Sequence, residues 1–454
     1  MMESTLAKVA ATMHGELHGA DHGFRGVSTD TRSLRKGELF FALQGPNFDG
    51  ASFVDAAARG EASGAVVNAA LETDLPVIVV DDTLDALSKV AADWRAQMPA
   101  TVVGITGSNG KTTLKEMVAS CLSLEAETLP TAGNLNNEIG VPLMLARLGP
   151  EHRYAVIEMG ANHAGEIAHL AALVKPSIVA ITNAAPAHLE GFGSLEGVSK
   201  AKGEILSVEP RPDRAILNAD DEFFPYWRSL VEDIEVSSFG LAPQADFRAS
   251  DVYATDHGSA FTLHMPESEI QVSLPLLGAH NVLNACAAAA IVSALGLDDE
   301  RIKAGLEHSE PVAGRLQPVR SASGDTLYDD SYNANPVSVV AAAKFLAAQP
   351  GDSWLVLGDM AELGDDEEEM HAAVGSDLKN AGIGHLVATG PLCRQTVDAF
   401  GEGAEWFDTR EAMIDHLKAS LDGNGSVLVK GSRSTGMEMV VEALKRSGAN
   451  GEGR

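Results

Sequence analysis

The stretch GITGSNGKTT, Gly104 to Thr113, decides the fold. Val102-Val103-Gly104-Ile105 reads as a buried strand, and a helix begins by Leu114. A glycine-rich loop between a strand and a helix N-terminus aims backbone N–H groups at phosphate oxygens. Gly107 and Gly110 permit positive φ and close backbone approach. Lys111 offers a point charge for β- and γ-phosphates, and the Thr112 hydroxyl suits Mg²⁺. Gly107, Ser108, Asn109, Gly110, Lys111, Thr112 and Thr113 are therefore the expected ATP-binding loop. The common phosphate-loop pattern has glycine five positions before Gly110; here Ile105 stands there, giving G-x-x-G-x-x-G-K-T-T. A dinucleotide fingerprint fails, because G-x-G-x-x-G is absent and lysine follows the last glycine. A structural glycine turn is the bland alternative, and G-K-T-T in this setting argues against it.

Outward from the loop, short apolar runs at 101–106, 155–159, 177–182 and 215–218 alternate with helical patterns. That rhythm predicts a parallel sheet covered on both faces. Residues 245–276 read as antiparallel strands flanking it. Before it, strands at 38–43 and 76–80 enclose a helical pattern at 53–59, so residues up to about 82 form a small α/β unit. A helix is predicted over 83–97, stopped by Pro99. After Arg315 a third alternation has strands at 327–329, 354–357, 385–389 and 427–430. The expectation is an α/β protein of three domains: 1–82, 83–313 around the phosphate loop, and a Rossmann-like 314–454.

The 454 residues are 45% hydrophobic and 21% charged, an ordinary globular balance. At roughly 150 residues per domain they suggest about three domains. The formal net charge of −31 argues against nucleic-acid or anionic-membrane binding, which needs a basic surface. An anionic substrate then requires a local basic pocket. Cys121, Cys286 and Cys393 lie far apart without C-x-x-C spacing; two sit in apolar helical runs and read as buried, reduced core residues, which fits a cytoplasmic protein. No signal-peptide pattern opens the chain. The most apolar long run, 281–297, is too short and mixed for a membrane span. The acidic run 365–369 reads as a solvated helix start, and the tail 447–454 as frayed.

Three further stretches carry chemistry. TAGNLNNEIG (131–140) is rich in side-chain amides, including Asn134 and Asn137, which can donate to a carboxylate or phosphate without adding charge. They would equally serve as caps of a turn. Glu158 ends the apolar run YAVIE, on the edge where parallel sheets bind ligands. Burying it unpaired is costly; a metal beside the nucleotide offsets that, and a paired core glutamate is the alternative. His188, in NAAPAHLEGFG (183–193), follows a strand and opens on the same edge as Glu158 and Thr112. That position favours a second metal ligand over a structural histidine.

The glycine pattern and these stretches resemble the Mur ligase family, ATP-dependent amide ligases that include the folylpolyglutamate synthases. The resemblance runs along the whole chain. It sets 131–140 beside the substrate carboxyl, with Asn134 and Asn137 as substrate-binding residues. It implies that Lys202, in AKGEI (201–205), is carbamylated and joins Thr112, Glu158 and His188 in holding two Mg²⁺ ions; an ordinary phosphate-binding lysine is the alternative. It makes Asn281, in GAHNVLNA (278–285), the adenine candidate, with Asn284 as a brace. Arg315 then lies near the nucleotide phosphates. Asp330, in DDSYNANP (329–336), closes over the nucleotide, with Asn333 a weaker candidate. The implied catalytic set is Lys111, Glu158, His188 and Lys202.

DSYNANP (330–336), LGDMAELG (357–364) and VKGSRS (429–434) resemble the branch that joins UDP-MurNAc-tripeptide to D-Ala-D-Ala. VSTDTR (27–32) followed by GELFFAL (37–43) looks like a UDP-sugar segment, offering Ser28, Asp30 and Arg32 as substrate partners. One departure is Ala51, where many relatives carry histidine. The expectation is a monomeric ATP-dependent ligase whose third domain closes over nucleotide and acceptor. A tripeptide-forming ligase of the same family is the alternative, against which the absence of D-N-P-R counts. A phosphate-loop switch or motor ATPase would leave 131–140 and 188–202 without a task.

Overall fold

The computed structural model describes residues 1–45, 48–255 and 257–445; the tail expected to fray, 447–454, lies outside the described residues. Three sheets organise the chain. The first has five strands in the order Glu16–His18, Val77–Val79, Gly64–Val67, Leu39–Phe41, Val27–Ser28, parallel except at the Glu16–His18 edge. The second has nine strands, and the third, spanning Gln317–Arg320 to Ser426–Lys430 in sequence, has six.

In the nine-stranded sheet the order is Thr128–Pro130, Tyr154–Glu158, Thr101–Thr106, Ile178–Ile181, Arg214–Asn218, Glu235–Gly240, Phe247–Thr255, Gly258–His264, Glu269–Leu274. The first seven are parallel, and the last two return antiparallel. The apolar runs become strands because both faces are covered: Val103, Ile105 and Val156 enter one core, while Val102, Ala155 and Ile157 enter another. The strand Thr101–Thr106 has the earlier-crossing strands on one side and Ile178–Ile181 on the other. Its carboxyl end is thus a topological switch point, where neighbouring connections part and leave a crevice.

The alanine-rich helix Ala279–Ala294 packs in the first of these cores beside the helix Lys111–Ser123. It is buried on nearly every face, with Val282 through Ile291 contributing, as its composition indicated. The helix Thr83–Gln97 is capped by Asp82, whose carboxylate accepts the Leu84 and Asp85 amides. Its apolar face joins a core with Leu6, Leu39 and Ile78 of the first sheet's unit and Ala146 of the middle unit. Leu87, 1% exposed, sits in that shared core, where truncation to alanine costs about 2–5 kcal/mol. The three cysteines are free and buried. Among the described residues no helix is long and apolar enough to cross a membrane.

Candidate active site

The phosphate loop leaves the switch-point strand at Thr106, and the helix Lys111–Ser123 starts directly after it. Gly107 has φ +140°, and a Cβ there would stand 1.9 Å from the Thr182 hydroxyl. Gly110 has φ +83°, with Asn284 Oδ1 2.7 Å from its missing Cβ. Neither position tolerates a side chain. The neighbouring strand end holds the loop: Asn183 Oδ1 accepts the Asn109 amide at 2.9 Å, and Thr182 Oγ1 donates to Asn109 O at 2.6 Å. Ser108 Oγ donates to Ala185 O and accepts from Ala185 N. Lys111 Nζ folds back on its own loop, donating to Gly107 O at 2.7 Å and Ser108 O at 3.2 Å. Burial lowers its pKa, Glu158 opposes that, and Arg315 adds to it.

A cleft of about 820 Å³ opens here, between the middle and third sheets. That volume lies within the range of small-molecule sites. Its walls include Ser108 through Thr113, Asn134, Asn137, Glu158, His188, Asn281, Arg315 and Asp330. Gly107 and Lys202 are not on the wall, and Ser28, Asp30 and Arg32 lie away from it in the first unit.

Glu158 is 2% exposed. Its Oε2 accepts from Thr112 Oγ1 at 2.9 Å and its Oε1 from Asn136 Nδ2 at 2.7 Å. Both partners are neutral, and Glu158 makes no ion pair among the described residues. Thr112 Oγ1 in turn accepts from Arg315 at 3.0 Å. Asn136 was not singled out by the sequence reading. Its neighbour Asn137 turns its oxygen to the Gly140 amide at 2.9 Å, the capping alternative, while Asn134 is exposed on the wall. Lys115, 1% exposed, donates to Thr131 O at 2.8 Å, and Thr131 Oγ1 accepts the Glu158 amide at 2.9 Å. A buried lysine thus ties the phosphate-loop helix to the strand end that carries Glu158.

His188 sits in the left-handed region, φ 57°, at the start of the short helix Leu189–Phe192. The Glu362 carboxylate of the third unit pairs with its Nδ1, which has no further hydrogen-bond partner. Burial lowers the imidazole's pKa, as do Lys111 and Lys202, and Glu362 opposes them. Lys202 lies on the helix Leu195–Gly203, which is held in place by the buried Trp227, whose Nε1 donates to Ser199 O at 2.9 Å. Its side chain is 2% exposed, and its Nζ stands 5.1 Å from the Phe192 ring centre. The ammonium makes no hydrogen bond or ion pair among the described residues. Burial first, then Lys111, pulls its pKa down to about 7, against the opposing carboxylates of Glu166 and Glu204.

From the third unit, Asp330 accepts from Lys430 at 2.7 Å and from the Leu316 amide at 3.1 Å. Lys430, 4% exposed, also donates to Asn333 O. Asn335 Nδ2 donates across the cleft to Asn109 Oδ1 at 2.8 Å. Asn281 lines the cleft, but its amide is engaged with Leu277 O and with Asn284. In the first unit, Arg32 grips Asp30 through two nitrogens, Nε at 2.9 Å and Nη2 at 2.6 Å. That bond holds the Asp30 carboxyl down to about 2. Ser28 Oγ accepts the Asp30 amide at 3.2 Å.

Against the global charge of −31, Lys111, Arg315, Lys430 and Arg433 all face this cleft. The arrangement can receive a polyanion at the phosphate loop. It can also receive a cation at the Glu158–Thr112 pair, where the buried carboxylate itself is met only by neutral side-chain donors.

Comparison with known proteins agrees with this geometry. Residues 105–292 match the family model described as Mur ligase middle domain, and residues 314–433 match that described as Mur ligase, glutamate ligase domain. The Escherichia coli (strain K12) protein named UDP-N-acetylmuramoyl-tripeptide–D-alanyl-D-alanine ligase is 47% identical over 99% of this chain and 100% of its own. A crystal structure of MurF from Acinetobacter baumannii superposes with a TM-score of 0.91 at 35% identity, covering 97% of this chain and 98% of that one. MurF ligase from Thermotoga maritima, solved in complex with ADP, gives 0.80 at 27% identity over 92% and 96%. With both family models placed around the cleft and a relative nearly half identical along its whole length, the chain belongs to the Mur ligase family.

Proposed function

We propose that this chain joins the terminal carboxylate of UDP-MurNAc-tripeptide to the amine of D-Ala-D-Ala, consuming ATP and forming ADP and phosphate. The observation that carries the reading is the meeting of Lys111, Thr112, Glu158 and Arg315, from three separate segments, at the switch point of the middle sheet.

A carboxylate resists attack by an amine, because displacement would expel oxide. Transfer of the γ-phosphoryl group remedies this. A carboxylate oxygen bonds to the γ-phosphorus, the bond to the bridging oxygen breaks, and ADP leaves with that electron pair. The amine then attacks the acyl carbon and loses a proton, and the C–O bond breaks to release phosphate. Such a transfer needs position and positive charge more than covalent help. The first amides of the helix Lys111–Ser123 lack intrahelical partners and face the phosphates. Lys111 moves from its own loop carbonyls onto β- and γ-oxygens, and Arg315 adds charge from the third unit. Closure of that unit excludes water from the reactive acyl phosphate; the Asn335–Asn109 bond and the Glu362–His188 pair span the cleft where it closes.

Thr112 and Glu158 would hold one divalent cation, and by the family resemblance His188 and Lys202 would hold a second. Mg²⁺ held there would neutralise charge on the phosphoryl oxygens. A protonated Lys202 would repel it. The neutral amine of a lysine held near pKa 7 can add to CO₂, releasing a proton and giving an anionic carbamate, so we assign Lys202 as carbamylated. Ser28, Asp30 and Arg32 receive the UDP portion, Asn134 and Asn137 the tripeptide carboxyl, and Asn281 and Asp330 the nucleoside side. The enzyme is taken as a cytoplasmic monomer of three domains, 1–82, 83–313 and 314–454.

The test is ADP release with UDP-MurNAc-tripeptide and Mg-ATP, offered D-Ala-D-Ala or a panel of single amino acids. Release that follows the dipeptide supports the assignment. Release that follows a single amino acid, or occurs without any acceptor at the same rate, contradicts it.

A further inference from the structure

The acceptor dipeptide brings a reactive amine and, at its other end, a carboxylate. That carboxylate needs a cation inside a strongly acidic protein. Four lysine and arginine side chains line the cleft among the described residues. Three have prior engagements. Lys111 belongs to the phosphate loop. Arg315 donates to Thr112 beside Glu158. Lys430 is 4% exposed and spends its ammonium on Asp330 and Asn333 O.

Arg433 is different. It follows the strand Ser426–Lys430 on the third unit's side of the cleft, and its side chain is 65% exposed. A single nitrogen, Nη1, donates to Glu438 at 3.0 Å. A guanidinium has five N–H donors in a planar fork, so an edge remains for a two-point carboxylate bond. The ring of Tyr332 holds it in place: the Arg433 guanidinium stands 5.9 Å from the ring centre, and the Arg315 guanidinium stands 4.3 Å from the same centre. One aromatic side chain is therefore within reach of both the arginine beside Thr112 and the exposed arginine. Arg315 is taken up beside Glu158 and Arg433 is not, so the cleft offers a second cation for a second anion.

Resting on the ligase reading above, we propose that Arg433 binds the carboxylate of the acceptor dipeptide and selects acceptors that carry one. Tyr332 positions the guanidinium.

The test compares D-Ala-D-Ala with its C-terminal carboxamide as acceptors, in the wild type and in Arg433→Gln, with ATP and the UDP-tripeptide saturating. The wild type prefers the free carboxylate in kcat/KM. In Arg433→Gln that preference falls about 10-fold or more, the loss expected for one charge-assisted bond, through KM for the dipeptide. KM for ATP and thermal stability stay as they were, because the side chain is exposed. Wild-type indifference between the two acceptors overturns the proposal, as does a preference that survives the substitution. If carboxamide turnover lies below detection in both proteins, the dipeptide KM decides: a change under twofold in Arg433→Gln overturns it. Absence of any dipeptide-dependent turnover in the wild type is a separate result, which removes the ligase reading itself.

Discussion

Replacing Lys202 with methionine should abolish ligation and stabilise the fold. The lysine is 2% exposed and has no ion-pair partner among the described residues, and its pKa falls from 10.5 to about 7. The folded pKa lies below the unfolded one, so folding must either bury a charge or release a proton. The cost is complete below pH 7, fades as pH rises through 7 to 10.5, and is gone above that. At about 1.36 kcal/mol per pH unit, the ceiling is about 5 kcal/mol. Allowing half for local relaxation and for the lysine stem's own packing leaves about 2 kcal/mol near pH 7. For a cooperative unit of roughly 200 residues, each kcal/mol moves Tm by about 2–4 °C. Lys202→Met should therefore melt about 4–8 °C above the wild type in CO₂-free buffer at pH 7. By pH 9.5 about two-thirds of the gap should be gone. Bicarbonate at neutral pH should raise the wild-type Tm and leave the variant unmoved, since only the amine can form a carbamate. A variant that melts at or below the wild type at pH 7, or a gap that does not shrink with pH, would refute the reasoning.

Other outcomes follow from the same contacts. Glu158→Gln keeps a side chain able to meet Thr112 and removes the charge; turnover should fall about 10²–10³-fold, with Tm changed little, by steady-state ADP release and calorimetry. Asn335→Ala removes the 2.8 Å bond to Asn109, worth about 0.5–1.5 kcal/mol. Closure then weakens, and the fraction of ADP released without dipeptide should rise several-fold; an unchanged fraction would detach that bond from closure. Burial raises the pKa of each cysteine thiol, Cys121 to about 12. A thiol reagent at pH 8 should find none of the three in the native protein and all three after denaturation.

Much of this was legible in the sequence, and the reasons are local. The phosphate loop is a contiguous motif, although the contacts that hold its glycines bare, with Thr182 and Asn284, come from distant segments. Glu158 was readable because it ends an apolar strand, and in a parallel sheet strand ends share one rim. The same rule reaches Lys430 and Arg433, which end or follow the strand Ser426–Lys430, although neither was singled out for a role. The loop 131–140 shows where spacing fails. Three asparagines compete, and the one that meets Glu158 is set by a turn in which the Asn136 amide bonds Asn134 O at 2.8 Å. Lys115 is hidden for another reason: a lysine in an ordinary helical position looks solvated until the fold brings Thr131 over it. The helix Thr83–Gln97 was predicted as an element, yet its spacing could not say that it would seal two units. The isolation of Lys202 among the described residues is likewise a property of tertiary packing, which the residue pattern did not reveal.

The central claim is that the chain activates a carboxylate by phosphorylation in this cleft. Labelling the terminal carboxylate of the UDP-tripeptide with ¹⁸O tests it directly. One labelled oxygen should leave with each inorganic phosphate formed during dipeptide-dependent turnover. Phosphate that carries no label, with the oxygen displaced from the carboxylate appearing in water instead, would contradict the account.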